Sequence, residues 1–497
     1  MSGTAESLVI QNFALHGRRK ILWCPDASHA IKGVKNFLFN HGEIRLSPEE
    51  VRDFDLDSDL VELQAIKDLV KFQENLEAKL VPKLSEAVLE KAIGKYGKMD
   101  VGTTIAIFSR ETAAGICFMM SNGGYPQRYS TTAHWIDQVA KWYQIMGARG
   151  PLFSFSLKDP EKRDDQIEFL GKFSFYISKT IFSKRQKTAL SEGKPVPLEA
   201  VQKSILMSTK SVIDLQEEIL KDPEVEFFSA GRTLADVIES LNGHLRVYQK
   251  NPTPVQVKRF LKIICVSQFL TRVMGSNVAP DDSEFLTEFS DIKKMKELEN
   301  SEENEDFEHF VDVGFEPGDF QNFEDCAVAN SWAYFGAYVL HKTILTNSKC
   351  DDCAKVLVAQ NHEENHQSVN TLIDFKEWKE KPGQLTRPSE LANKLFHIIE
   401  ALFQSNRNQY YKNNQKNIKQ RLVDFMYQQI ISKAEFDEIP HTKHLKIIIA
   451  RFMKGRLFFW ANFMNQADKK LMSETKILLN ESFASKSTRS KTHPDLK

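Results

Sequence analysis

The sequence predicts a predominantly helical α+β fold, and three observations carry that prediction. Strand signals are few, the clearest being a short apolar run, Ile21-Leu22-Trp23-Cys24, stopped at Pro25. From about residue 46 to 225 the pattern is mostly amphipathic helix, broken by Gly- and Pro-containing stretches such as "SNGGYPQ" and "ARGPL". A further helical region, rich in aromatic residues, spans about 325 to 485.

Bulk properties set the frame. A chain of 497 residues, 41% hydrophobic and 27% charged, can bury a sizeable core; at ~150 residues each it holds roughly three domains. The net charge of −1 excludes a polycation, so any contact with nucleic acid must come from local patches. Of six cysteines, Cys24, Cys117, Cys265 and Cys326 stand singly, which argues for a reducing compartment rather than a disulfide framework. The start, "MSGTAESLVIQNFALHGRRK", is mixed and polar, and no run approaches the ~18 apolar residues of a membrane span. The expectation is a soluble intracellular protein with no membrane partner.

Taken in order, the strand at 21–24 runs at once into "SHAIKGVKNFLFN", where Ile31, Val34 and Leu38 share one helical face. A "DLQEEI" helix near 214 leads to "DVIESLNGHLRVYQKNPTPVQ", residues 236 to 256. There Asp236 and Glu239 fall on one face of a helix, beside an apolar stripe of Ile238, Leu241 and Leu245. Thr253 as cap and Pro254 as first residue start the next helix, with Val257, Phe260, Leu261 and Ile264 at helical spacing. Residues 293–324 open with the charged run "KKMKELENSEENEDFE" and read as an acidic linker, and the tail at 486–497 as a disordered basic segment.

Three constellations carry chemistry. Asp26 follows a strand and opens a helix, where a carboxylate either caps the helix or reaches a metal. Lys32 and Lys35, one turn apart, either meet phosphates or are solvated. Phosphodiester chemistry by two Mg²⁺ ions needs several carboxylates converging, with the metals ~3.5–4 Å apart, and Glu239 is a distant candidate to join Asp26. Cys350-x-x-Cys353 has the spacing of a zinc-binding pair, with His362 and His366 just beyond and His441 and His444 further on; two free thiols are the alternative. From Asn406 onward Lys and Arg exceed Asp and Glu by about ten, and Tyr410, Tyr411, Phe458, Phe459 and Trp460 alternate with Lys412, Arg451, Lys454 and Arg456. Such a mixture can bind phosphate and stack bases. The same stretch also reads as a packed helix with Leu445, Ile448, Ile449, Phe452 and Leu457 inward, the preferred reading, with a weak DNA contact on its basic face.

These residues also carry a family resemblance. "DASHAIKGVKNFLF" resembles the Asp-x-x-His-x-x-Lys-x-x-Arg-Asn segment of P-element-type (THAP-domain) DNA transposases, and "DVIESLNGHLR" with "NPTPVQ" resembles their glutamate helix and Asn-Pro-Thr-Pro corner. "PKLSEAVLEKAIGKYGKMDV", "TTAHWIDQVAKWY" and "SWAYFGAYVLHKTI…CDDCAKVL" are similar to three further segments. All five keep the family order over most of residues 20 to 460.

The resemblance implies a ribonuclease-H-like core interrupted by a helical GTP-binding-type insertion, with Asp-Asp-Glu metal chemistry on transposon DNA. By it, residues 1–45 and 226–292 belong to the core, 46–225 to the insertion and 325–485 to a helical C-terminal domain. Asp26 then matches the second catalytic aspartate and Glu239 the catalytic glutamate, both Mg²⁺ ligands, while Asp236, Lys83 and Lys98 match positions at the GTP site. Independently of the resemblance, the spacing of Cys350 and Cys353 would suit a structural Zn²⁺. Two departures bear on activity. The 25 residues before Asp26 contain no aspartate to match the first catalytic one, nor a zinc-dependent DNA-binding domain, so the reading is of an amino-terminally truncated member. Gln144 and Gly147 in "WYQIMG" stand where the family reads guanine with Asp and Asn, and an amide or a hydrogen cannot replace an acceptor-only carboxylate. The expectation is a catalytically incompetent, nuclear, transposon-derived protein that binds DNA or protein. Two alternatives stay open: a portion of an active transposase with further upstream exons, and a regulator that assembles with a full-length transposase and inhibits it; a self-oligomer is the other partner expected.

Overall fold

In a computed structural model of the chain, the described residues are 13–16, 19–41, 43–74, 76–94, 100–235, 251–268, 323–359, 369–377, 385–412 and 418–461, with Glu239, Asn242, Leu245, Arg246, Gln249, Phe463 and Met464 as single positions. They form two units. The first takes the described residues up to Lys71, then Lys83–Met120 and those from Tyr125 to Gln268; the second takes Phe72–Pro82, Ser121–Gly124 and those from Phe323 onward. The linker at 293–322, the tail, Asp236, Lys98, His362 and His366 lie outside the described residues. Helices dominate both units, as the sequence predicts.

The first unit opens with a hairpin, β1 (Phe13–His16) against β2 (Arg19–Leu22), antiparallel from Phe13↔Leu22 to His16↔Arg19. The expected strand at 21–24 therefore begins earlier and stops at Leu22. Ser211 Oγ takes the Trp23 carbonyl at 2.5 Å, and Pro25 bars extension. Nor is it a buried strand, since Ile21 is 51% and Trp23 60% exposed.

Helix α1 (Ala27–His41) buries Ile31, Val34 and Leu38 completely, the face read from its spacing. Lys32 and Lys35 are buried too, which corrects the solvated reading. Burial lowers the Lys35 ammonium pKa, and the charge of Asp100 partly offsets that. The chain continues through β3 (Glu43–Arg45), α2 (Pro48–Asp53), β4 (Leu60–Glu62) and α3 (Leu63–Gln73), with β3 and β4 paired antiparallel. Ser47 caps α2 through a 3.1 Å bond from the Glu50 N–H, and Pro48 occupies its first turn.

Helices α4 (Glu86–Ile93), α5 (Val101–Ile107), α6 (Arg110–Gly123) and α7 (Tyr129–Met146) follow, then β5 (Phe155–Ser156), α8 (Pro160–Lys179), α9 (Lys184–Ser191) and α10 (Ala200–Ile219). Helix α10 starts from a capping box of Glu199 and Gln202. Its side chains press on α1, where a Cβ at Gly33 would lie 2.8 Å from Val201 Cγ2. Buried Trp135, Trp142, Phe108 and Phe182 fill the core, and Trp142 Nε1 donates to Thr209 Oγ1 at 2.9 Å. Strand β6 (Phe227–Phe228) pairs with β5, a 3-10 turn spans Ala230–Thr233, and α11 (Pro254–Gln268) starts at the predicted Thr253-Pro254 signal. The Thr253 N–H donates to Gln256 Oε1 at 2.8 Å.

The second unit is built on α12 (Phe323–Leu340), which continues into a π-helical turn, His341–Ser348. Helices α13 (Asp351–Leu357), α14 (Thr371–Lys376), α15 (Glu390–Lys412) and α16 (Ile418–Ile431) follow, with a last helix, α17, over 442–461. Phe396 and Phe452 stack at 5.0 Å between centroids at the centre of its core. Gly336 and Gly455 leave room there for the rings of Phe396 and Phe335, which a Cβ would strike.

Candidate metal centres

The first centre is assembled at the start of α1. The Asp26 carbonyl accepts from the His29 and Ala30 N–H groups at 3.1 Å, and its side chain caps the helix, Oδ1 accepting from the Ser28 N–H at 2.9 Å. The capping reading therefore holds. Asp26 Oδ2 remains for His29, whose Nδ1 lies 2.6 Å away. His29 Nε2 in turn lies 3.5 Å from Glu239 Oε1, so the imidazole stands between two carboxylates 213 positions apart in sequence. Asp26, His29 and Glu239 each offer a ligand atom within 4.8 Å of the others.

Neighbouring elements hold this end of α1 in place. Ser28 Oγ and Tyr143 Oη of α7 are 3.0 Å apart, and Cys24 Sγ lies 3.5 Å from Thr233 Oγ1. Burial pushes both the Cys24 thiol and the Tyr143 hydroxyl up, and the Asp26 charge adds to each shift, so both stay neutral beside it. The Glu239 N–H donates to the Ala235 carbonyl at 2.9 Å, and the 3-10 turn of Ala230–Thr233 packs closely on the end of α7. The Gly231 N–H donates to the Ala148 carbonyl at 2.9 Å, an approach so close that a Cβ would sit 2.6 Å from the carbonyl oxygens of Gly147 and Ala148.

The second centre lies in the second unit. Cys350 is the residue before α13, Cys353 its third residue, and His441 and His444 flank the start of α17. Cys350 Sγ is 3.5 Å from His441 Nδ1; Cys353 Sγ is 3.4 Å from His441 Nδ1 and 3.3 Å from His444 Nδ1. Burial lowers the His444 pKa, which keeps its imidazole neutral, and raises the Cys353 thiol to about 11. The neighbouring Cys350 thiol adds to the latter.

Residues 322–448 match the family described as DNA transposase THAP9, C-terminal domain, about a quarter of the chain and a span that contains all four residues of the second centre. Over that span the chain is similar to the C-terminal domain of a DNA transposase. A solved structure, the Drosophila P element transposase strand transfer complex, is similar to the chain at 17% identity and a TM-score of 0.41. That similarity covers 52% of this chain and 55% of the other, so the chain spans about half the length of that transposase. No curated protein matches it.

The groups that the sequence resemblance implies fit the residues present unequally. Asp26 and Glu239 are hard oxygen donors suited to Mg²⁺, but an imidazole between them favours Mn²⁺, Fe²⁺ or Zn²⁺. Among the described residues no further carboxylate joins that group, and the set does not fit a pair of Mg²⁺ ions. GTP fits poorly. Lys83 is an exposed turn residue, and Gln144 and Gly147 close the end of α7. At Gly147 even a Cβ would lie 2.9 Å from the Tyr143 carbonyl oxygen, which leaves no place for a base-reading amide. Two cysteine sulfurs and two imidazole nitrogens, by contrast, are the donor set of a structural Zn²⁺.

The basic aromatic stretch of α17 is mainly packing. Arg456 is fully buried, Arg451 Nη1 donates to Thr343 Oγ1 at 3.2 Å, and Trp332 lies 6.1 Å from Phe459 between ring centroids. Lys454 and Phe458 are exposed, while the side chains of Tyr410, Tyr411 and Lys412 lie outside the described residues. The residue that sequence reasoning passed over is His29. Its signal was the i, i+3 spacing from Asp26 on a helix start, which places both side chains on one face.

Proposed function

We propose that the chain is a transposon-derived protein that binds DNA, or assembles with a transposase, without cutting DNA on its own. The observation that carries this reading is the Asp26–His29–Glu239 group. Convergence of two carboxylates from opposite ends of the first unit is what a ribonuclease-H-like metal site requires, yet the His29 imidazole stands between them, Nδ1 2.6 Å from Asp26 and Nε2 3.5 Å from Glu239, in the room a pair of Mg²⁺ ions would need. In this reading residues 1–45 and 226–292 are portions of a ribonuclease-H-like core, and 46–225 is a GTP-binding-type insertion that has lost its guanine readers. The place of action is the nucleus, where the DNA partner is.

The test uses the purified full chain with supercoiled plasmid and labelled duplex DNA, in Mg²⁺ and in Mn²⁺. Expected is salt-sensitive duplex binding with no strand cleavage, unchanged in Glu239→Ala. Divalent-dependent cleavage that disappears in Glu239→Ala would overturn the proposal. The same convergence of Asp26 and Glu239 supports a second reading, in which another segment or protein supplies the remaining carboxylate of an active transposase. Cleavage that appears only when an intact family transposase is added, and is lost on Asp26→Asn, would mark that outcome.

A further inference from the structure

We propose that Cys350, Cys353, His441 and His444 bind one Zn²⁺ in a closed tetrahedral S₂N₂ site that staples the start of α13 to the start of α17. The donor atoms already stand at the edges of such a tetrahedron. With Zn–S near 2.3 Å and Zn–N near 2.0–2.1 Å, tetrahedral geometry puts each S···N edge at about 3.6 Å. Three of the four S···N separations are 3.5, 3.4 and 3.3 Å, and all four donor atoms lie within 4.8 Å of one another. Both histidines turn Nδ1 inward, so a single nitrogen type completes the set.

The arrangement differs from a finger, in which both pairs belong to one short segment. Here the pairs are 88 residues apart at their nearest, Cys353 to His441, so the ion would close a long loop across the second unit. Cys353 is fully buried, whereas His441 is exposed, so the ion would enter from the His441 side. Four protein ligands leave no open position for water or substrate, and the site is structural rather than catalytic. Hydrogen bonding alone explains the cluster less well. A neutral thiol has one weak proton to give, and Cys353 Sγ faces two imidazole nitrogens at once.

Metal content of the untagged full chain, purified without added metal, tests the assignment by elemental mass spectrometry. Expected is about one zinc per chain that survives dialysis. Co²⁺ replacement should give the intense ligand-field bands and thiolate-to-metal charge transfer of a tetrahedral S₂N₂ site. Cys353→Ser and His444→Ala should lose the zinc, while His362→Ala and His366→Ala keep it. Should the ligand variants fail to fold, the Co²⁺ spectrum and zinc protection of Cys350 and Cys353 from alkylation, abolished by a chelator, read the site in the unaltered chain. Absence of zinc together with failure to take up Co²⁺ would overturn the proposal, as would zinc retained in Cys350→Ser/Cys353→Ser. None of these readouts involves DNA, so they stand apart from the proposed function.

Discussion

Arg456→Met is the substitution whose cost can be worked most fully. Arg456 is fully buried, with Nε donating to Glu400 Oε2 at 2.6 Å and Nη2 to Glu400 Oε1 at 2.9 Å. The same Nη2 donates to Glu77, whose other oxygen accepts from Arg407. The guanidinium also lies 4.3 Å from the Phe403 ring centroid and 4.8 Å from that of Trp332. Methionine keeps most of the volume but leaves the Glu400 carboxylate buried without its cation. Breaking a buried pair from one side costs about 3–5 kcal/mol. At a urea slope of ~2 kcal/mol/M, a 4 kcal/mol loss lowers the midpoint by about 2 M. In Arg456→Met/Glu400→Leu both charges are gone, Glu77 retains Arg407, and most of the loss should return, leaving a deficit of ~1 kcal/mol. The assay is urea denaturation of the full chain, with hydrogen exchange in α15 and α17 reporting this unit separately. A single substitution costing less than ~1 kcal/mol, or a double variant no better than the single, would refute the argument from buried charge.

Three further outcomes are expected. Gly336→Ala and Gly455→Ala each press a methyl group into an aromatic ring and should cost about 1–3 kcal/mol, read from urea midpoints. Gly231→Ala collides with two backbone carbonyl oxygens, so it should lower the thermal midpoint, whereas Gly150→Ala, with open space at its Cβ, should not. Tyr176 donates to Asp53 at 2.8 Å, and burial together with that carboxylate pushes its hydroxyl up to about 12. Because the folded value exceeds the unfolded one near 10, the contribution is complete below pH ~10 and vanishes as pH rises through ~12, at most about 2.7 kcal/mol. Denaturation of wild type and Tyr176→Phe across that window should show the smaller alkaline loss in the variant.

What was legible in the sequence was local. The buried face of α1 follows from the spacing of Ile31, Val34 and Leu38, and the start of α11 from a Thr-Pro pair, because each signal lies within one helical turn. Cys350 and Cys353 were legible from their spacing, but which histidines complete the set was not. His362 and His366 are nearer in sequence, and only the turn before α17 reveals that His441 and His444 face the thiols. The approach of Glu239 to Asp26 through His29 could not be read from either residue, since the two are 213 positions apart and come near each other only in the folded unit. Lys35 and Arg456 misled for a physical reason. Charge normally marks surface, and a buried cation depends on a distant acid, Asp100 in one case and Glu400 in the other.

The bond between Glu77 and Arg456 has a consequence for how the molecule is made. The two partners are 379 residues apart, and Glu77 belongs to an eleven-residue segment, Phe72–Pro82, that joins the second unit far ahead of most of its sequence. At ~5–20 residues per second, a ribosome would release Glu77 roughly 20 to 75 s before Arg456 emerges to meet it. During that interval the acid must remain hydrated, or be held by something other than its final neighbours. A nascent chain arrested before α17 would display this segment outside its native setting, a feature by which quality-control machinery could tell unfinished copies from complete ones.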